Sequence, residues 1–167
     1  MRDLCAGKGI LVKILYMLAA MKIALGADGF GFVLKTQVAA WLVACGHEVM
    51  DGGIFSAAPD MKLMDYADFV AGAVAKGEAD RGVLICMSGG MMQIRANRFA
   101  GVRAVMGFDA DAMVHDREAS DANVVCFAAS YGAEAVWEDI MLAFLETEFE
   151  ALDRRLARLA LLERVTL

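Results

Sequence analysis

The chain predicts an open parallel α/β sandwich of about five strands. Two observations carry that prediction. Short, continuous apolar runs recur along the sequence, as in 22–27, 82–86 and 124–127. Between them lie segments with apolar residues three or four apart, closed by glycines such as Gly46 and Gly77. Strands covered on both faces read as unbroken apolar runs, and strands that alternate with helices build parallel sheets.

The elements follow in order. Lys22 to Ala27 is the first strand and ends in an Asp28-Gly29 turn. Phe32 to Cys45 carries Leu34, Val38, Trp41, Leu42 and Cys45 on a helical stripe, with Gly46 as its stop. Glu48 to Asp51 is the second strand, followed by Gly52-Gly53 and a loop with the only proline, Pro59. Tyr66, Phe69, Val70, Ala73 and Val74 mark a second helix that Gly77 ends. Gly82 to Cys86, Val102 to Phe108 and Val124 to Phe127 are strands three, four and five. Trp137 to Glu148 is a further helix, and Glu148 to Arg164 a last one, with Phe149, Leu152, Leu156 and Leu159 as its stripe. That last helix packs on its own domain or on a neighbouring subunit.

Residues 1–20 read as an N-terminal extension, 21–147 as the domain, and 148–167 as the C-terminal helix. Gly9 to Ala20 is apolar but interrupted by Lys13, which argues against a signal peptide, and it is too short to span a bilayer. Met17 and Met21 are both plausible starts.

Composition narrows the function. Hydrophobic residues make up 59% of the 167, which excludes a disordered chain. A net charge of −6 without a basic cluster makes nucleic acid a poor partner, and no membrane partner is expected. Cys5, Cys45, Cys86 and Cys126 form no C-x-x-C pair, and with only His47 and His115 there is no zinc spacing. Reduced thiols in a cytoplasmic protein are the simplest reading. Cys45 and Cys126 fall on apolar faces and read as core. His47 and His115 read as surface or satisfied core histidines.

The candidate site lies in 80–104, DRGVLICMSGGMMQIRANRFAGVRA. A strand ends at Cys86, a Ser-Gly-Gly turn follows, and a helical segment begins. Ligands of open α/β sheets bind outside the carboxyl ends of the strands. A thiol there, facing N–H groups at a helix start, is placed to be a base of depressed pKa beside an anion hole. The plain alternative for Cys86 is a small buried hydrophobe. Asp28 and Ser88 each have the alternative of a turn or N-cap residue.

At these residues the chain resembles the ribose-5-phosphate isomerase B and galactose-6-phosphate isomerase family. The likeness runs over about 21–150, through MKIALGADGFGFVLK, GHEVMDGG, DYADFVAGAVAKGEADRGVLIC, ANRFAGVRA, SDANVV and AFLETEFE. It implies a Rossmann-like three-layer α/β/α sandwich, a homodimer or tetramer, no cofactor or metal, and interconversion of an aldose and a ketose phosphate through an enediolate. It makes Cys86 the base, sets Ser88 where the family has Thr, and makes Asp28, Gly89 and Asn97 substrate-binding; by their chemistry the N–H groups of Gly89 and Gly90 suit substrate binding at the oxyanion, and the Ser88 hydroxyl suits a catalytic proton relay. The family's His after Asp28 is Gly29 here, its His-Asp after strand four is Phe108-Asp109, and its Arg after strand five is Ser130. Its Arg-Glu-His-Asn is Arg117-Glu118-Ala119-Ser120, and a C-terminal Arg is Asp153. Met87 and Met91 stand for two of its glycines and Gly90 for its Ile.

Proton transfer is thus kept, and ring opening and phosphate binding are eroded. Three readings follow: a sugar-phosphate isomerase with arginines such as Arg95, Arg154, Arg155 or Arg158 moved into the cleft, a non-catalytic member or partner subunit with Met87 and Met91 filling the site, or an isomerase of an unphosphorylated sugar with a neutral open pocket.

Overall fold

The structure, a computed structural model, describes residues 20–53, 55 and 62–163. The readings of residues 1–19, Pro59 and Arg164 lie outside these. The described elements are β1 (Lys22–Ala27), α1 (Phe32–Ala44), β2 (Glu48–Asp51), α2 (Leu63–Ala75), β3 (Arg81–Cys86), α3 (Gly90–Ala96), β4 (Ala104–Met106), α4 (Ala110–Ser120), β5 (Val124–Ala128), α5 (Ala133–Glu146) and α6 (Asp153–Leu162). The five strands form one sheet in the order β2-β1-β3-β5-β4, every pairing parallel.

The continuous apolar runs are explained by burial on both faces. Ile23, Leu25, Val83, Ile85, Val125 and Phe127 face one core, closed by Leu34, Val38 and Leu42 of α1 and by Trp137, Ile140 and Phe144 of α5. Ala24, Leu84, Cys86, Val124 and Cys126 face the other, under Val70 and Ala71 of α2 and Met92 and Ala96 of α3. Burying a large apolar side chain contributes about 1.5–3 kcal/mol, so the two faces outweigh the weak intrinsic preferences of individual residues for strand. Cys45 and Cys126 are buried as expected, and His47 is a satisfied core histidine whose Nδ1 accepts from the Met21 N–H at 3.2 Å. Among the described residues no helix is long and apolar enough to cross a membrane.

Two expected elements change. Strand four was expected over Val102 to Phe108 and is only Ala104–Met106. Its entry is diverted by side chains: the Arg103 N–H donates to Asn123 Oδ1 at 2.8 Å, and the Arg103 guanidinium donates to the Asp121 carbonyl and carboxylate. Gly107 leaves the sheet after one last bond to the Cys126 carbonyl.

The C-terminal helix does not run from Glu148. The backbone is extended at Thr147 (ψ 122°) and Leu152 (ψ 143°), and α6 begins at Asp153. The reason is tertiary. Arg117, buried at the end of α4, donates to the Thr147 carbonyl at 3.1 Å, and Glu150 N–H donates to the Glu118 carbonyl at 3.1 Å. Arg155 donates to Glu118 O at 2.6 Å and to the Glu150 carboxylate. The residue of α6 that is buried is therefore Arg155, while Leu152, Leu156, Leu161 and Leu162 are exposed. Of the expected stripe, Leu152 and Leu156 are exposed, while Phe149 and Leu159 are half-buried.

One close approach positions the site. Gly31, in the turn between β1 and α1, lies so near β3 that a Cβ on it would sit 2.5 Å from the Ile85 carbonyl oxygen. Gly31→Ala is expected to cost about 1–3 kcal/mol and to loosen the Asp28 turn, read as a lowered denaturation midpoint together with a larger loss of activity than the stability change alone produces. A midpoint equal to that of the unaltered chain contradicts this packing.

Candidate functional site

A parallel sheet sends every strand's carboxyl end to one edge. The chain crosses from β1 outward to β2 and returns to place β3 on the other side of β1, so the strand order reverses between β1 and β3. Open α/β sheets form their binding crevice at such a point. Asp28 follows β1 and Cys86 closes β3 there. Ala27 is paired with Ile85, and the Asp28 N–H donates to the Ile85 carbonyl at 3.1 Å, which levels Asp28 with Cys86.

Cys86 is buried, with only 4% of its surface exposed. The Gly89 N–H points at its sulfur, N to Sγ 3.1 Å, and the N–H groups of Ser88 and Met92 also bear on it. Gly89 holds φ +76°, and a Cβ there would meet Met106 Cε at 2.5 Å. Only glycine turns the chain sharply enough for its amide to face back at the thiol. Ser88 is exposed on the same turn, and Gly90 opens α3 behind it.

The expected depression of the Cys86 pKa is corrected by this environment. Burial is the largest influence and pushes the thiol up; the Gly89 amide pulls it down; the Asp28 carboxylate pushes it up again; Ser88 and Met92 amides oppose. Desolvation of the thiolate outweighs the donors. Asp28 is itself buried and raised, chiefly by desolvation, against the N–H groups of Gly31, Phe30 and Met87. Its Oδ1 accepts from Gly31 at 3.0 Å. The carboxylate thus ties the β1 turn to the β3 turn, and both functional groups hold their protons more firmly than they would in water.

The sequence matches the family described as Ribose/Galactose Isomerase over residues 23–162. It is 40% identical over 129 residues to the ribose-5-phosphate isomerase B of Escherichia coli, covering 77% of this chain and 86% of that one. It is 33% identical over 129 residues to the 4-deoxy-4-sulfo-D-erythrose isomerase of a Clostridium species, covering 77% and 81%. The type B ribose 5-phosphate isomerase of Trypanosoma brucei superposes with a TM-score of 0.82 at 37% identity, covering 87% and 98%. The chain belongs to the ribose/galactose isomerase family. The Rossmann-like α/β/α fold and the aldose–ketose isomerase class expected from the sequence are those of this family.

Not every residue assigned from the family's pattern gathers at Cys86. Asp28, Ser88, Gly89 and Gly90 do. Asn97 does not. It ends α3, and its side-chain amide is engaged on both sides by one residue: Nδ2 donates to Ala104 O at 2.9 Å, and Ala104 N–H donates to Oδ1 at 2.8 Å. Ala104 lies level with Val124, while Cys86 lies level with Ala128. Four residues of strand separate the two levels, about 13 Å. Asn97 borders instead a cleft of about 560 Å³ at the opening of β4, beside Arg103 and Glu163.

The methionines divide as well. Met92 is fully buried beneath the sheet, whereas Met87 and Met91 are exposed at the edge and do not fill the interior. Lys35 and Asp51 were not anticipated. Lys35 is buried on α1 and its Nζ lies 2.6 Å from both oxygens of Asp51, at the carboxyl end of β2, with the Phe55 ring 5.1 Å away. A lysine between Leu34 and Val38 on a buried helical face is the signal in the sequence, and a buried ammonium requires a partner.

The environment of Cys86 fixes a pH dependence. A base of raised pKa is mostly protonated at neutral pH, so activity is expected to climb about tenfold per unit as pH rises, with the limb above the ordinary thiol range. Asp28→Asn removes a neighbouring negative charge and should move that limb to lower pH. A limb below neutrality, or one unmoved in Asp28→Asn, is the contrary result in a kcat/KM profile.

Proposed function

We propose that this isomerase interconverts the aldose and ketose forms of a small sugar or sugar derivative through an enediolate, with Cys86 as the base. The observation that carries the reading is the Gly89 amide 3.1 Å from the Cys86 sulfur, with Asp28 alongside. The thiolate takes the proton from the carbon beside the carbonyl, and the electron pair moves onto the carbonyl oxygen. The thiol then returns the proton to the neighbouring carbon. The Gly89 N–H steadies the Cys86 sulfur, the Gly90 N–H at the start of α3 serves the developing oxyanion, the Ser88 hydroxyl relays the proton between the two oxygens, and Asp28 holds a substrate hydroxyl. Preorganised donors that meet charge as it develops are a large source of rate. Asn97, held by Ala104, positions β4 against α3.

A base acts in the transition state and adds little to ground-state binding. Cys86→Ala is therefore expected to remove nearly all turnover and leave substrate binding close to unchanged. Ser88→Ala should cost less, on the order of ten- to a thousandfold in kcat, because water replaces part of a hydroxyl relay. Turnover that survives Cys86→Ala sinks the base assignment. The low exposure of Cys86 favours a second reading, a non-catalytic family member. It is the reading that stands if the unaltered chain isomerises no sugar at all.

The exposed leucines of α6 support a homodimer or larger assembly built through this helix. An apolar helical face left uncovered on the monomer marks a contact surface. Sedimentation is expected to give a species of at least two chains at micromolar concentration, and Leu156→Glu with Leu161→Glu to give the monomer. A monomeric unaltered chain is the result against it.

A further inference from the structure

Asp28 reaches Cys86 from another strand, so its position depends on what holds the end of β1. That end is clamped from both sides. On one side the Asp28 N–H donates to the Ile85 carbonyl at 3.1 Å, which continues the ladder to β3. On the other the Ala27 N–H donates to the Gly53 carbonyl at 3.2 Å, in the loop that follows β2. A loop carbonyl keeps its place only where its own backbone is held.

Asp51 holds it. Its Oδ1 accepts from the Gly53 N–H at 2.9 Å, and both of its oxygens accept from Lys35 Nζ at 2.6 Å. Lys35 is buried in the first turn of α1, and its backbone N–H donates to the Gly31 carbonyl at 2.8 Å. The Gly31 N–H in turn donates to Asp28, to Oδ1 at 3.0 Å and to the carbonyl at 3.1 Å. A closed circuit of hydrogen bonds thus runs from Asp28 through Gly31, Lys35, Asp51 and Gly53 to Ala27, the residue before Asp28. The loop is also packed tightly from below. A Cβ on Gly52 would lie 2.1 Å from Phe69 Cδ1, and one on Gly53 2.7 Å from Tyr66 Cε1. A buried ion pair contributes little net stability compared with apolar residues of the same volume. What it adds here is direction, because a carboxylate fixed by an ammonium presents one oxygen to Gly53.

We propose that Asp51, with Lys35 as its counter-ion, is a positioning residue of the reaction: through Gly53 and Ala27 it holds the Asp28 carboxylate at Cys86. This rests on the isomerase reading, in which Asp28 holds a substrate hydroxyl, and extends it to a pair on β2 and α1. Displacing Asp28 has two consequences. The substrate loses a polar anchor, and small misplacements of such anchors are costly. Cys86 loses the charge beside it. In the cluster around Cys86 that charge comes from Asp28; β5 brings the thiol of Cys126, and α2 and α3 bring Val70, Ala71, Met92 and Ala96.

Two double variants of the full chain keep the net charge of the pair at zero. Lys35→Met with Asp51→Ala removes the acceptor of the Gly53 N–H, and Lys35→Met with Asp51→Asn leaves an amide oxygen in its place. Each is assayed with D-ribose 5-phosphate, the sugar phosphate in the name of the Escherichia coli relative. The titration of Cys86 is followed in parallel by carbon NMR of cysteine-labelled protein, assigned with Cys86→Ala. The alanine variant is expected to lose about ten- to a hundredfold in kcat/KM, mostly through KM. Its alkaline limb and its Cys86 titration should both move to lower pH by about half a unit. The asparagine variant should regain most of the activity and the position of the limb. In an Asp28→Asn background the alanine variant should move neither limb nor titration further, because the group it displaces is already neutral. A lowered denaturation midpoint with limb and titration unmoved makes the pair a structural contact only and overturns the proposal, as does an equal loss in the asparagine variant. Should the alanine variant not fold, Asp51→Glu takes its place: it keeps the charge opposite Lys35, displaces the carboxylate from Gly53 by one methylene, and carries the same expectation and the same contrary result. Turnover by none of the proteins, with the Cys86 titration still moved, overturns the isomerase reading alone. Turnover by none with the titration unmoved overturns both.

Discussion

The pairing of β1 with β3 is the constraint on which the rest depends. Five register pairs, from Ile23 with Arg81 to Ala27 with Ile85, join the two strands. Their shared carboxyl end sets Asp28 level with Cys86. The β1 turn can close onto β3 only because Gly31 has no Cβ to meet the Ile85 carbonyl. The same pairing divides the molecule into its two cores, since alternate residues of both strands supply each face. A slip of one residue would send Cys86 to the opposite face, away from α3 and from the Gly89 amide.

Burial at this junction works against reactivity and for it. Removing water raises the pKa of Cys86 and of Asp28, so the thiolate is scarce at neutral pH. The scarce thiolate is also a stronger base toward carbon acids, and the amides around it act undiluted by solvent. The protein supplies those amides from a turn that Gly89 alone permits, and steadies it with Asp28, which receives the Met87 N–H. The carboxylate at the end of β1 is thereby part of the geometry of β3.

Charge is partitioned along the strand direction. At the amino edge, arginines fasten loops: Arg103 to Asp121, Arg117 to Asp121 and Thr147, Arg155 to Glu118 and Glu150. They are structural cations with assigned partners. At the carboxyl edge the helices begin, and their first turns attract the carboxylates that helix dipoles favour. The site therefore inherits an acidic and apolar rim from helix capping and from loop composition together.

The sequence by itself determined the layers. Continuous apolar runs could be satisfied only by a sheet covered on both faces, and β1, α1, β2, α2 and β3 stand close to where their patterns place them. It also determined Cys86 and its turn, because a strand that ends in Ser-Gly-Gly before a helix has few other conformations. Long-range contacts decided the rest. The short β4, the break before α6 and the burial of Arg155 in place of leucines all follow from hydrogen bonds to residues about 20–37 positions away. Asn97 is near Cys86 in the sequence yet about 13 Å from it along the sheet, because α3 carries the chain back to the opposite edge. The sign of the Cys86 pKa was equally hidden. Three donors and a helix start are legible locally, but the desolvation that outweighs them comes from α2, α3 and Asp28 folding over the thiol.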